Sequence, residues 1–210
     1  MSSKTIRVLR AIVFDMDGTL TQPGAIDFAR MRSRLAVPAG VDVLDHVAAA
    51  PSLEERDARA RIVAEEEMLG VERQRLMPDL SSIVAFTAAR PGLRVGLLTR
   101  NNAAAAAHTM RLLQAAGATF HRALSREWDG GPPKPDPAAL LEMARAWNVA
   151  PSEMVMVGDS IDDVACGRAA QCAASILIGD GDEPAARDLA HYTVPSLSAL
   201  AELLAAEFAH

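Results

Sequence analysis

Cysteines, lysines and aromatic residues are scarce in this 210-residue sequence, and each shortage argues against a class of protein. Two cysteines, Cys166 and Cys172, are too few for a disulfide framework and fit a reducing compartment. One tyrosine, five phenylalanines and two tryptophans make a base-stacking surface for nucleic acid improbable. No apolar run reaches the roughly 18 residues that a membrane-spanning helix needs.

Charge gives no sign of a polyanionic partner. The 21 basic and 27 acidic residues give a formal net charge of −6, spread along the chain. This distribution argues against a nucleic-acid groove and against an anionic membrane surface. With 50% apolar and 23% charged residues the chain can bury a sizeable core, and its polar start does not resemble a signal peptide. We expect a cytoplasmic globular protein that binds neither nucleic acid nor membrane; the sequence carries no signal for its oligomeric state.

Short apolar runs alternate with helical stretches along most of the chain. The runs predict buried strands at residues 11–14, 93–98, 154–157 and 175–178. Helices are expected at residues 103–116, 138–147, 161–170 and 198–208, and a further strand at residues 119–121. Alternation of this kind predicts an α/β fold, in which helices cover both faces of a parallel sheet.

A long interval between the first two strands does not fit a simple crossover. Residues 26–76 have a helical pattern, with breaks at Pro38-Ala39-Gly40 and at Pro51. About fifty residues are too many for a loop in a compact domain. We interpret residues 22–76 as a small helical cap, inserted into an α/β core made of residues 1–21 and 77–210.

Two carboxylates follow the first strand directly. Asp15 ends the apolar run and Asp17 comes two residues later, so in an extended chain both side chains project to the same side. Gly18 permits a tight turn, and Thr19 is expected to cap or hydrogen-bond it. Carboxylates this close repel, but they can divide the work of nucleophile and proton donor.

A second acidic group follows the third predicted strand. Gly158 allows close approach of the backbone, and Asp159 and Asp163 share one face if a helix starts near Ser160. Asp162 is expected to be an ordinary exposed helix residue. Because the carboxyl ends of parallel strands lie at one edge of a sheet, the two acidic groups come together there. Their mutual repulsion indicates a hard divalent cation, and Mg²⁺ suits such a site.

Lysine is confined to two positions, Lys4 and Lys134, so chemistry that needs an ammonium group has one well-placed candidate. Lys134 lies in a proline-rich loop, in which Asp136 is a good N-cap and Pro137 suits the first position of a helix. A rigid ammonium group there can neutralise a carboxylate nucleophile and an incoming phosphate together.

Thr99 ends the second predicted strand and completes the set of polar residues at this edge. Its hydroxyl, with the backbone N–H groups of Arg100 and Asn101 at an expected helix start, can hold the oxygens of an anion. The same three residues would also suit an ordinary helix N-cap.

Four motifs occur in one order along the chain: Phe-Asp-Met-Asp-Gly-Thr-Leu at 14–20, Leu-Leu-Thr-Arg-Asn at 97–101, Lys-Pro-Asp-Pro at 134–137 and Gly-Asp-Ser-Ile-Asp-Asp at 158–163. Together they resemble the haloacid dehalogenase superfamily of phosphohydrolases. The helical insert resembles the cap of the phosphoglycolate phosphatase-like branch. The resemblance implies a Rossmann-like core and a small phosphorylated metabolite as substrate.

The resemblance also implies roles for the residues in these motifs. Asp15 would be the nucleophile that forms an aspartyl-phosphate, and Asp17 the acid and base. Thr99 and Lys134 would hold the transferring phosphoryl group, with Arg100 and Asn101 beside them. Mg²⁺ would be bound by the Asp15 carboxylate, the Asp17 carbonyl and Asp159, with Asp163 as a ligand or orienting a bound water.

Other chemistries of the superfamily fit this sequence less well. Dehalogenases lack the second aspartate, which is present here as Asp17, and the insert contains no lysine for the Schiff base of a phosphonatase. A phosphomutase shares the core motifs and remains an alternative. A catalytically silent binding protein on the same fold is the other alternative, since a fold does not determine a function.

Overall fold

The computed structural model describes residues 7–179 and 184–209, so Lys4 lies outside the described residues. The strands in these ranges are β1 Arg7–Val8, β2 Ala11–Phe14, β3 Arg94–Leu98, β4 Arg122–Leu124, β5 Met154–Gly158, β6 Ala174–Ile178, β7 Tyr192–Val194 and β8 Phe208–Ala209. The α-helices are α1 Phe28–Leu35, α2 Val43–Ala48, α3 Leu53–Arg73, α4 Leu80–Ala88, α5 Ala103–Ala115, α6 Ala138–Trp147, α7 Ile161–Ala169, α8 Pro184–Leu189 and α9 Leu197–Glu207. None of these helices is long and apolar enough to cross a membrane.

Six strands form one parallel sheet in the order β4-β3-β2-β5-β6-β7. Strands β2, β5 and β6 are buried along their whole length, as their continuous apolar runs predict. The expected α/β fold with a parallel sheet is therefore confirmed. Since the strands run in one direction, the carboxyl ends of β2, β3 and β5 lie side by side.

The edges of the sheet differ from the sequence-based expectation. The strand expected at residues 119–121 is wrong by three residues, because β4 occupies Arg122–Leu124. Strand β7 at the other edge was not predicted, nor was the separate parallel pair of β1 with β8. These segments are two or three residues long and partly exposed, so they carry no apolar run that could reveal them.

The chain divides into two compact units. One comprises the described residues up to Gln22 and from Leu76 onward, and it contains the six-stranded sheet. The other comprises Pro23–Arg75 and contains α1, α2 and α3. The helix ends follow the predicted breaks: α1 ends before Pro38 and α3 begins after Pro51.

The helical unit has a small core of its own and an ion-pair network around one buried carboxylate. Its core consists of Ile26, Met31, Leu35, Val43 and Val63. The Glu66 carboxylate on α3 is 1% exposed and accepts hydrogen bonds from Arg30 at 2.8 Å and Arg34 at 2.8 Å. These hydrogen bonds lower the pKa of Glu66. The charges of both arginines are therefore engaged within this unit.

Candidate active site

The turn after β2 places Asp15 and Asp17 at the carboxyl edge of the sheet. The Asp15 backbone N–H extends the pairing of β2 with β5 by donating to Val157 O at 2.8 Å, which places the Asp15 side chain at the end of both strands. The Asp17 carboxylate accepts a hydrogen bond from Thr21 Oγ1 at 3.0 Å and one from Asn101 Nδ2. Both predicted aspartates are thus held at the site, and Asp17 has a partner on each oxygen.

The hydroxyl that hydrogen-bonds this turn belongs to Thr21, whereas the sequence predicted Thr19. Thr21 Oγ1 donates to Asp17 and, at 3.2 Å, to Met16 O. Thr19 is fully buried, but its Oγ1 has no hydrogen-bond partner among the described residues. The expectation that Thr19 hydrogen-bonds the turn is therefore wrong. Thr21 takes that position because its backbone N–H also returns to Met16 O at 2.9 Å.

Lys134 is 3% exposed, and its ammonium group lies at the centre of the site. Nζ donates to Asp15 Oδ1, to Asp163 Oδ1 at 2.6 Å and to the Leu98 carbonyl at 2.8 Å. Three acceptors match the three protons of an ammonium group. Burial alone would lower the pKa of Lys134, but the charges of Asp15 and Asp163 outweigh it and raise that pKa, so Lys134 stays charged.

The loop that carries Lys134 differs in detail from the sequence-based expectation. Helix α6 begins at Ala138 with Pro137 as its N-cap residue, so Pro137 is not the first helical residue. Asp136 Oδ1 nevertheless accepts the Ala138 N–H at 2.8 Å, which satisfies one free donor at the helix start. The Lys134–Pro135 peptide bond is cis.

Asp163 lies at the start of α7 and is 1% exposed. Its Oδ2 accepts from Ser160 Oγ at 2.6 Å and from Ser160 N at 3.1 Å, while Oδ1 accepts from Lys134. A Cβ on Gly158 would lie 2.2 Å from Asp163 Cγ, so the expected close approach at this glycine is confirmed. Ser160, which caps α7, and Gly158 together set the direction of the Asp163 side chain.

Asp159 is the exposed member of the acidic group. Protein atoms around its carboxyl group, together with the Asp163 charge, raise the pKa of Asp159 to about 7. Its carboxylate reaches Gly18, where a Cβ would lie 1.9 Å from Asp159 Oδ2. Gly18 also has φ of +75°. This turn therefore requires a glycine for two reasons, the backbone conformation and the lack of space beside Asp159.

Burial raises the pKa of Asp15 well above its usual range; Lys134 opposes this rise, while the charges of Asp163 and Asp159 add to it. One carboxylate oxygen from each of Asp15, Asp159 and Asp163 lies within 4.8 Å of the others. Three oxygen donors at this spacing, two of them with raised pKa values, form a site that a hard cation would relieve of charge repulsion. The residues present therefore fit Mg²⁺.

Thr99 and Asn101 lie at the end of β3, both nearly buried. Thr99 Oγ1 accepts the Asn101 N–H at 3.1 Å, and the Thr99 N–H donates to Leu124 O at 3.0 Å. Helix α5 begins at Ala103, as expected, with Asn102 as its N-cap. The N–H groups of Arg100 and Asn101 therefore precede the helix, and that of Asn101 is already bonded to Thr99. Asn101 contributes its side chain instead, through its bond to Asp17.

Arg100 contacts the other side of the site. Its guanidinium forms an ion pair with Asp162 on α7, and both side chains are about a quarter exposed, at 28% and 26%. The expectation that Asp162 is an ordinary exposed residue is therefore wrong. Opposite charges on residues 62 positions apart give no local pattern, so only the fold reveals the pair.

A parallel sheet of this order, with an aspartate pair after a central strand and a lysine bridging two carboxylates, defines a Rossmann-like α/β protein with a charged site at the carboxyl edge of its sheet. A family model described as haloacid dehalogenase-like hydrolase matches residues 9–171. The chain belongs to this family.

Comparisons with individual proteins agree with that assignment. A haloacid dehalogenase-like hydrolase domain-containing protein of Arabidopsis thaliana is 34% identical, over 95% of this chain and 85% of its own length. A phosphoglycolate phosphatase of Chromobacterium violaceum is 30% identical, over 95% of this chain and 98% of its own. The crystal structure of a hydrolase from Pseudomonas syringae shares the fold, with a TM-score of 0.75 at 16% identity, covering 95% of this chain and all of the other.

Proposed function

We propose that this protein is a Mg²⁺-dependent phosphatase that hydrolyses a small phosphomonoester through an aspartyl-phosphate on Asp15. The observation that carries the proposal is the contact of the Lys134 ammonium with Asp15 at the carboxyl edge of the sheet, beside a second aspartate held by Asn101. The family assignment and the similarity to a named phosphoglycolate phosphatase support it.

The first step transfers the phosphoryl group to the enzyme. An Asp15 carboxylate oxygen attacks phosphorus, a new P–O bond forms, and the bond between phosphorus and the substrate oxygen breaks in line. Asp17 gives its proton to the departing oxygen, so that an alcohol leaves in place of an alkoxide. Asp17 suits this role because Thr21 and Asn101 hold one oxygen each, which fixes the direction of its carboxyl group.

The second step releases inorganic phosphate. Asp17, now a carboxylate, takes a proton from water, and that water attacks phosphorus of the aspartyl-phosphate. The bond between Asp15 and phosphorus breaks, and the Asp15 carboxylate is restored. The same side chain thus serves as acid and then as base.

Lys134 and Thr99 bind the phosphoryl group during both steps. The buried ammonium of Lys134 offsets the negative charge of Asp15 and of the phosphoryl oxygens, where the surrounding protein screens charges weakly. The Thr99 hydroxyl lies at the end of β3 and can donate to a phosphoryl oxygen, since its observed bond uses it only as an acceptor.

Mg²⁺ would be held by carboxylate oxygens of Asp15 and Asp159 and the Asp17 carbonyl, with Asp163 as a ligand or through a bound water. When bound, the metal offsets the charge of the nucleophile and of the phosphoryl group. Asp163 also binds Lys134 and Ser160, so it links the metal site to the ammonium group.

We also propose that the helical unit Pro23–Arg75 is the cap that selects the substrate. The chain leaves the Asp17 turn at Gln22 and returns at Leu76, and these two residues bond each other through Gln22 Nε2 and Leu76 O at 3.1 Å. An insertion attached directly to the catalytic turn is suited to respond to what binds there.

A panel of small phosphomonoesters, including phosphoglycolate, tests the proposal. Release of inorganic phosphate with Mg²⁺, and its loss with a chelator, is the expected result. Transfer of the phosphoryl group to a second sugar phosphate without phosphate release would instead show a mutase. Binding of phosphoesters without turnover of any of them would show a silent binding protein.

A further inference from the structure

Two consecutive residues after β4, Arg126 and Glu127, bind the loop that carries Thr99 and Asn101. The Arg126 N–H donates to Asn101 O at 3.1 Å, and Arg126 Nη1 donates to Arg100 O at 3.0 Å. Glu127 Oε2 accepts the Ala103 N–H at 3.1 Å. We call this group of contacts, made by Arg126 and Glu127 to residues 100–103, the Arg126–Glu127 brace.

The brace fixes the backbone on both sides of Asn101. The carbonyls of Arg100 and Asn101 belong to the two peptide planes that flank the Asn101 Cα, and Arg126 holds both of them. Since peptide planes are rigid, holding both fixes the two backbone dihedral angles at Asn101. The direction of the Asn101 side chain is thereby set, and its Nδ2 donates to Asp17 Oδ2.

Glu127 anchors the far end of the same loop. The Ala103 N–H is one of the free donors at the start of α5, and the N-cap Asn102 side chain bonds a different one, that of Ala105, at 2.8 Å. A carboxylate at a helix start is also favoured by the helix dipole. Glu127 therefore ties the start of α5 to the end of β4.

We propose that Arg126 and Glu127 are positioning residues for the acid and base, acting through Asn101 on Asp17. The kinetic part of this inference rests on the proposed function. Loss of the Arg126 side chain frees the Arg100 carbonyl, while the backbone N–H of residue 126 still holds Asn101 O, so one of the two peptide planes beside Asn101 is released and the bond from Asn101 to Asp17 loosens. Proton delivery to the leaving group and proton removal from the attacking water then both weaken, while attack by Asp15 is little affected.

Two substrates with different leaving groups test the kinetic part. Because a positioned acid contributes about 10²–10⁴-fold, Arg126→Met should lower kcat/KM for glycerol phosphate by about tenfold or more, and for 4-nitrophenyl phosphate by less than about threefold. This quantity reports the steps up to formation of the aspartyl-phosphate, so the later hydrolysis, in which Asp17 acts as base for both substrates, does not enter it. Nitrophenolate is a good leaving group and needs little protonation. Glu127→Ala should act in the same direction, and Glu127→Gln, which keeps an acceptor oxygen, should restore most of the loss.

Arg122→Met is the matched control. Arg122 lies on β4 and bonds Glu142 on α6 at 3.0 Å, so its loss removes an arginine close in sequence without touching the brace. The control should leave the ratio of the kcat/KM values for glycerol phosphate and 4-nitrophenyl phosphate unchanged. Equal losses for both substrates in Arg126→Met would overturn the positioning role.

A structural measurement tests, independently of activity, whether the brace holds the Asn101 side chain in place. In the nuclear magnetic resonance spectrum of the intact protein, the Asn101 side-chain amide should move towards its unbonded position in Arg126→Met and stay in place in Arg122→Met. An unmoved Asn101 signal in Arg126→Met would overturn the brace. An inactive wild-type protein would overturn the proposed function, and the Asn101 signal would still show whether the brace positions Asn101.

Discussion

The Nζ of Lys134 lies 2.6 Å from Oδ1 of Asp163, and the same ammonium group binds Asp15. All three side chains are buried, so each charge depends on the others for compensation. This arrangement links the end of β2 to the start of α7 through one lysine from a loop. It is also the point at which stability and the proposed catalysis would depend on the same residue.

Replacing this lysine should therefore affect both properties. In Lys134→Met, Asp15 and Asp163 are left without their cation, and removing one partner of a buried ion pair costs about 3–5 kcal/mol. We expect a fall of this order in the free energy of unfolding in urea without metal, together with severe loss of turnover. Turnover close to that of the wild-type protein would contradict the role proposed for Lys134.

Gly18 should be sensitive to the smallest substitution. In Gly18→Ala the new Cβ would lie 1.9 Å from Asp159 Oδ2, so Asp159 must move and Mg²⁺ affinity and turnover should fall. Gly40→Ala is the control: Gly40 has φ of +76°, close to the +75° of Gly18, but nothing lies within 4 Å of its Cβ position. Both variants should lose about 1–2 kcal/mol from backbone strain. Equal Mg²⁺ affinity in the two, measured by calorimetry, would show that Asp159 does not bind the metal.

Metal affinity should depend on pH. The pKa of Asp159 is raised to about 7, so below pH 7 a proton competes with the metal for this carboxylate. The dissociation constant of Mg²⁺ should rise up to about tenfold per pH unit below pH 7 if one proton is displaced. Titration calorimetry at pH 6, 7 and 8 measures this, and Asp159→Asn should bind weakly with less dependence on pH. A Mg²⁺ affinity that does not change across this pH range would contradict the assignment of Asp159 as a metal ligand.

Two histidines attach the edge strands of the sheet in the same way. His121 precedes β4, and its Nδ1 accepts the Val95 N–H at 3.0 Å; His191 precedes β7, and its Nδ1 accepts the Ser175 N–H at 2.9 Å. Each also donates its own backbone N–H to the carbonyl of that same residue. Partial burial, with nearby arginine charges, lowers the pKa of both imidazoles.

This arrangement predicts the sign of one contribution to stability. The folded state prefers neutral imidazoles, so their contribution is present above the unfolded pKa of about 6.5 and declines as pH falls through it. His121→Asn and His191→Asn keep an acceptor near Nδ1 but cannot titrate. The free energy of unfolding should therefore fall less between pH 7.5 and pH 5.5 in these variants than in the wild-type protein. An equal fall in the free energy of unfolding in the variants and the wild-type protein would contradict a contribution from these histidines.

The sheet and the positions of the acidic groups could be predicted from the sequence because both follow from local patterns. A strand buried on both faces must be a continuous apolar run, as Ala11–Phe14 and Met154–Gly158 are. Polar residues that end such runs must gather at one edge, which brings Asp15, Asp163 and Thr99 together.

Contacts between distant loops could not be predicted in this way. The Arg100–Asp162 pair joins residues 62 positions apart, and the bond from Asn101 to Asp17 spans 84 positions. Arginines and acidic residues occur throughout the chain, so nothing in the sequence marks which ones pair. Thr19 lies in the first motif and Thr21 directly follows it, and only the path of the turn decides which hydroxyl reaches Asp17.

The proposed function depends above all on Asp15 being the nucleophile of a metal-dependent phosphatase. The most direct measurement is inorganic phosphate release from 4-nitrophenyl phosphate, with and without Mg²⁺, by the wild-type protein and by Asp15→Asn. Asn is nearly the same size as Asp but cannot attack phosphorus as a carboxylate. We predict Mg²⁺-dependent release by the wild-type protein and its loss in Asp15→Asn. Equal release by the two proteins would contradict the assignment of Asp15.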